Sequence, residues 1–102
     1  GSNQVAAEGI LTANVNLNVL GSDPTQNVLA VGFDAGATIK TAVRDGIMLG
    51  AVTQAPMEMG RVTVETLTKI ADNETVSDIA TPCYWYHAQN MDEDKIAPNL
   101  YD

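Results

Sequence analysis

Residues 28–33 read VLAVGF, an uninterrupted apolar run that ends on Asp34. Six residues are too few for a free-standing helix, and two β-branched valines favour extended chain. A strand that is apolar at every position suits burial on both faces, as in a parallel sheet. Outward from this run the period becomes helical on either side. Upstream, residues 4–13 (QVAAEGILTA) place Val5, Ala6, Gly9, Ile10 and Ala13 at helical spacing. Downstream, Ile39, Ala42 and Val43 mark a second helix over 36–45, stopped by Asp45-Gly46.

The alternation continues. Residues 48–54 (MLGAVTQ) fit a second strand, and Pro56 presets φ for a first helical turn. Met57, Gly60, Val64, Leu67 and Ala71 share one face of a helix over 56–71, which Asp72-Asn73 ends. Residues 79–87 (IATPCYWYH) read as a last strand, confined by Pro82 to an edge or a crossing. A short helix from about Asp92 should stop at Pro98. The order predicts an α/β fold, part of a doubly wound, mainly parallel sheet. Two or three strands are few for such a sheet, and no strand precedes helix 4–13. The chain is therefore expected to be a carboxyl-terminal fragment, with Gly1-Ser2 either an added tail or the end of the lost strand.

Composition narrows the partners. The 102 residues are 45% hydrophobic, enough for a buried core, and 18% charged. Thirteen Asp and Glu against five Lys and Arg give a net charge of -8. Such a surface repels phosphate backbones and anionic lipid, so no nucleic-acid partner is expected. The sequence has one cysteine, Cys83, which cannot pair within the chain. Neither a spanning segment nor a signal peptide is written in it.

In open α/β sheets ligands bind beyond the carboxyl ends of the strands. Asp34 follows VLAVGF, Gln54 follows MLGAVT, and Asn3 would follow the missing strand. One carboxylate and two amides offer acceptors and donors with little net charge, a set that suits the vicinal hydroxyls of a sugar. The competing reading makes Asp34 the cap of helix 36–45 and Asn3 the cap of helix 4–13.

The stretches VLAVGFDAG (28–36), AVRDGIMLGAVTQAPMEMG (42–60) and NMDEDKIAPNLYD (90–102), in this order, resemble the carboxyl-terminal third of type I periplasmic sugar-binding proteins. These are the ribose-binding kind of substrate-binding component in bacterial ABC importers. The resemblance covers nearly all of the chain apart from the connection at 14–27, which is longer than an ordinary αβ loop and holds either an extension of the first helix or an insertion. It implies two α/β lobes joined by three crossings that close on the ligand. Residues 1–54 would then be a second-lobe portion, 55–78 a helix of the first lobe, and 79–102 the last crossing with a terminal helix. It also implies that Asp34, Gln54 and Asn3 hydrogen-bond the sugar. The implied function is capture of a monosaccharide outside the cytoplasm, in the periplasm or at the cell surface, for a membrane permease. The face of helix 56–71 would be covered by the missing amino-terminal portion of the same protein or by self-association.

Other constellations carry less. Cys83 and His87, four apart, would share a strand face, but a metal or a nucleophile–base pair needs more groups than these. Tyr84-Trp85-Tyr86 could stack on a sugar, though hinge and core packing suits it better. Met48, Met57, Met59 and Met91 read as core filler, and Asp92, Glu93 and Asp94 as a solvated face. No cofactor, metal site or catalytic residue is expected, so the chain is not read as an enzyme. The alternative is the effector-binding domain of a sugar-responsive transcriptional repressor, which shares the fold. Such repressors carry Pro-Leu-Thr-Thr before the glutamine, where this chain has Leu49-Gly50-Ala51-Val52-Thr53.

Overall fold

The computed structural model describes residues 1–101. Asp102, the last residue of the 90–102 motif, lies outside the described residues. The elements are α1 (Gln4–Leu17), β1 (Val31–Phe33), α2 (Ala37–Arg44), β2 (Gly50–Gln54), α3 (Pro56–Ala71), β3 (Cys83–Tyr86) and a 3-10 turn, η1 (Ala97–Asn99). The sheet runs β1-β2-β3. β1 and β2 are parallel, with Val31 beside Gly50 and Phe33 beside Val52. β3 joins β2 antiparallel, with Ala51 opposite Tyr86 and Gln54 opposite Cys83. The result is an α/β fold in which two parallel strands carry an antiparallel third.

One face of this sheet is covered. Gly32, Ala51 and Tyr86 point to it, and α1 and α2 pack there through Ala7, Ile39, Ala42 and Val43. Met48, Met91 and Ile96 complete the core. Small residues let the layers approach: a Cβ on Gly32 would stand 3.4 Å from both the Ala7 and Ala51 Cβ atoms. Thr53 is the buried polar residue of β2, and its hydroxyl donates to the Asn99 carbonyl at 2.9 Å. That bond ties the end of the chain across the strand.

The opposite face is open. Val31 and Trp85 are each 43% exposed there, and the Trp85 indole lies over Gly50, where a Cβ would sit 2.5 Å from its ring. Val28 and Leu29 are exposed as well, so 28–33 is not buried on both faces as expected. The strand itself shortens to 31–33, with Val28 held in an isolated bridge to Leu20. The reason is position: β1 is the edge of the sheet, and the ammonium of Gly1 donates to the Val31 carbonyl at 2.8 Å beside it.

Other boundaries also move. The first helix continues past Ala13 to Leu17, taking in part of 14–27, and closes on Asn18 in the left-handed region with φ 50°. The last strand begins at Cys83 rather than 79, because Pro82 has no N–H to donate. Residues after Asp92 form turns and η1 instead of a helix stopped by Pro98, which sits inside η1. Helix stops at Asp45-Gly46 and Asp72-Asn73 fall where the sequence places them, with Gly46 at φ 79° and Asn73 at φ 60°.

α3 behaves differently from the other helices. None of its residues is buried, and Met57 is 73% and Val64 65% exposed. Met48 and Met91 fill the core as expected, but Met57 does not. Arg61 bridges Glu58 and Glu65 along the helix, a set of exposed pairs worth little to stability. The molecule measures 58 × 25 × 22 Å with a radius of gyration of 16.9 Å, against about 13 Å for a compact domain of this length.

The contrast has a measurable consequence. Ile39→Ala in the 102-residue chain should lower stability by about 2–5 kcal/mol, since it empties a fully buried site. Leu67→Ala, on the exposed α3 face, should change it by less than about 0.5 kcal/mol. Urea unfolding of both variants checks this.

Candidate functional site

The parallel pair places the carboxyl ends of β1 and β2 side by side, and the chain turns sharply there. Asp34 leaves β1 with φ 76°, a left-handed conformation that Asp adopts more readily than most residues and that still costs about 1–2 kcal/mol. Hydrogen bonds from three elements hold it. Its N–H donates to the Val52 carbonyl at 2.7 Å. Its carbonyl accepts from the Tyr86 hydroxyl at 2.7 Å. Its Oδ2 accepts from the Gln4 N–H at 3.1 Å, in the first turn of α1. A carboxylate at a helix amino terminus also meets the favourable end of the helix dipole.

Asp34 is thus not the cap of the helix that follows it. Gly36 takes that position in α2 without a side-chain bond, and the Asp34 carboxylate reaches back to α1 instead. Asn3 is the cap of α1, its Oδ1 accepting from the Ala6 N–H at 2.8 Å. The cap uses the carbonyl oxygen, which leaves the Asn3 NH2 donors pointing from an exposed residue. Asn3 and Asp34 therefore meet at one helix terminus. Gln54 ends β2 as an exposed residue, one strand over from Asp34.

Two aromatic residues join this cluster without having been picked out for it. Tyr86 is fully buried in β3 beneath the Asp34 turn. Its pKa is raised well above the ordinary value by burial first, with Tyr101 and the negative Asp34 adding to the effect. Tyr101 stands close to the Asp34 side chain and the Ala35 backbone. Burial is the main cause that raises its pKa; the Ala35 backbone opposes, and Asp34 adds to the rise. The sequence shows Tyr86 only as a member of an aromatic triplet and Tyr101 only as the next-to-last residue of a motif. Neither position predicts which hydroxyl meets Asp34.

The remaining candidates disperse. β3 ends at Tyr86, so Cys83 and His87 do not share a strand face. Among the described residues no group of three or more His, Cys, Asp or Glu is placed to hold a metal ion. Asp92 pairs with Arg44 at 3.3 Å on the surface. An open groove of about 590 Å³ lies between α1 and α2, walled by Leu11, Val15, Thr38 and Thr41; Asn3, Asp34 and Gln54 take no part in it. Among the described residues no helix is long and apolar enough to cross a membrane.

No protein-family model and no curated protein matches the chain. Solved structures do. An ABC transporter solute-binding protein from Agrobacterium vitis with bound D-fucose superposes with a TM-score of 0.86 at 29% identity, over 99% of this chain and 33% of that one. A Brachyspira murdochii protein described as an ABC transporter, LacI family transcriptional regulator, gives 0.85 at 30% identity, over 99% and 34%. A carbohydrate transporter solute-binding protein from Agrobacterium radiobacter in complex with D-arabinose has the same fold, with 0.81 at 24% identity over 98% and 32%. The chain thus spans about a third of the length of the structures it matches. Its α/β fold and its likeness to sugar-binding ABC transporter proteins are those expected from the sequence.

The buried Tyr86 hydroxyl sets an alkaline limit. The folded chain keeps this proton where the unfolded chain, near the ordinary value of 10.0, loses it. Stability is therefore fully present below pH 10 and falls as pH rises toward the folded value. Tyr86→Phe should flatten that fall, with Tyr101 leaving a residual slope; thermal melts from pH 8 to 11 measure it.

Proposed function

We propose that this chain is the carboxyl-terminal part of an extracytoplasmic receptor that captures a monosaccharide for an ABC importer. The observation that carries the reading is the Asp34 carboxylate, held at the carboxyl end of the parallel pair beside Asn3 and the Tyr101 hydroxyl, with Gln54 one strand away. Such a set accepts from and donates to vicinal hydroxyls. The fold likeness to proteins with D-fucose and D-arabinose bound supports a sugar as the ligand.

On this reading residues 1–54 belong to the second lobe, the helix within 55–78 to the first, and 79–102 to the last crossing. The exposed face of α3 and the open face of the sheet would then be covered by the rest of the protein. The receptor works by capture and closure of its lobes, followed by docking on a permease in the membrane, in the periplasm or at the cell surface. It performs no chemistry on the sugar. The description of the Brachyspira structure favours a second reading, the effector domain of a sugar-responsive repressor. A DNA-reading helix-turn-helix in the same polypeptide, with operator binding relieved by sugar, would decide for it.

Calorimetry on the complete protein tests the first reading with a panel of D-arabinose, D-ribose, D-galactose and D-fucose. At least one should bind, and Asp34→Ala should lose about 1.5–3 kcal/mol of that binding through its charge-assisted hydrogen bond. Unchanged affinity in Asp34→Ala would remove Asp34 from the site.

A further inference from the structure

The geometry points to Tyr86 as the residue that positions the Asp34 carboxylate for its ligand, although Tyr86 lies beneath the sheet and reaches no open surface. This inference rests on the sugar-binding reading above and adds a determinant of affinity to it.

Among the described residues Asp34 is one of three non-glycine residues with positive φ, and the other two, Asn18 and Asn73, sit at helix ends. Helix stops explain those two. Asp34 instead stands between a strand and the approach to α2, where an ordinary residue would choose the extended or right-handed well. Its conformation is held from both sides of its peptide units. The Val52 carbonyl fixes its N–H, and the Tyr86 hydroxyl fixes its carbonyl.

The first bond belongs to the ladder that any residue could make there. The second depends on one side chain. Tyr86 comes from β3, separated from β1 by β2, and its ring spans the covered face beside Ala51 to reach Asp34. A tyrosine hydroxyl keeps its proton throughout the neutral range, so it stays a donor there. Without it, the Asp34 carbonyl has lost the partner that opposes rotation out of the left-handed well. That rotation would swing the side chain away from the Gln4 N–H and from the open end of the sheet. The hydroxyl is a positioning group, then, and the carboxylate is the binding group.

The test is a double-mutant cycle in the complete protein, read by calorimetry with whichever of D-arabinose, D-ribose, D-galactose and D-fucose binds. Tyr86→Phe keeps the ring that fills the core, so the fold should persist. It should weaken binding by about threefold to tenfold, the size of one net hydrogen bond. In an Asp34→Ala background the same change should alter affinity by less than about twofold, since no carboxylate is left to misplace. A loss of the same factor in both backgrounds would overturn the inference and make Tyr86 a residue of general packing. Full affinity in Tyr86→Phe, with Asp34→Ala impaired, would overturn it as well. If Asp34→Ala itself binds normally, the sugar-binding assignment of Asp34 falls and the role of Tyr86 falls with it.

Discussion

The structure depends on how the chain turns at the end of β1. Asp34 adopts a left-handed conformation there, and bonds from β2, β3 and α1 converge on it. Each of those bonds ties a separate element to the same point. Together they set the direction of α2, the entry to α1 and the position of a strand that arrives 52 residues later. A turn so widely shared is stiff, and stiffness is what a binding carboxylate needs if its orientation is to survive without ligand.

The second constraint is incompleteness of cover. A sheet with parallel strands is ordinarily packed on both faces, and here α1 and α2 cover one while Val31 and Trp85 lie open on the other. α3 repeats the theme with a helix whose apolar face meets solvent. Buried area, and therefore most of the stability, is concentrated in the layer formed by α1, α2 and the covered face of the sheet. The proposed site lies at one end of that well-packed layer, whereas the exposed apolar surfaces lie on the outer face and along α3.

Much of this was legible in the residues. The alternation of apolar runs with helical spacing was enough for an α/β fold, because each period reports which face of an element is covered. Pro56, Asp45-Gly46 and Asp72-Asn73 marked helix ends through local backbone preferences that need no tertiary context. What local pattern could not show was which strand would be an edge. VLAVGF reads as a central strand, yet only Val31–Phe33 join the sheet, since pairing depends on a neighbour that periodicity does not reveal. The proposed site was legible in part for the same reason. Asp34 and Gln54 stand out because they follow strands, and Asn3 because it opens a helix. The bond from Asp34 to α1, and the hydroxyls of Tyr86 and Tyr101, are long-range contacts that no spacing along the chain encodes.

The central claim is that the end of the parallel pair, with Asp34 at its centre, is where a sugar binds. A crystal structure of the complete protein grown with its sugar tests it most directly. The account predicts ring hydroxyls within about 3 Å of the Asp34 carboxylate, in a cleft at the carboxyl ends of β1 and β2. A sugar bound elsewhere, with the Asp34 carboxylate still engaged by the Gln4 N–H alone, would contradict it.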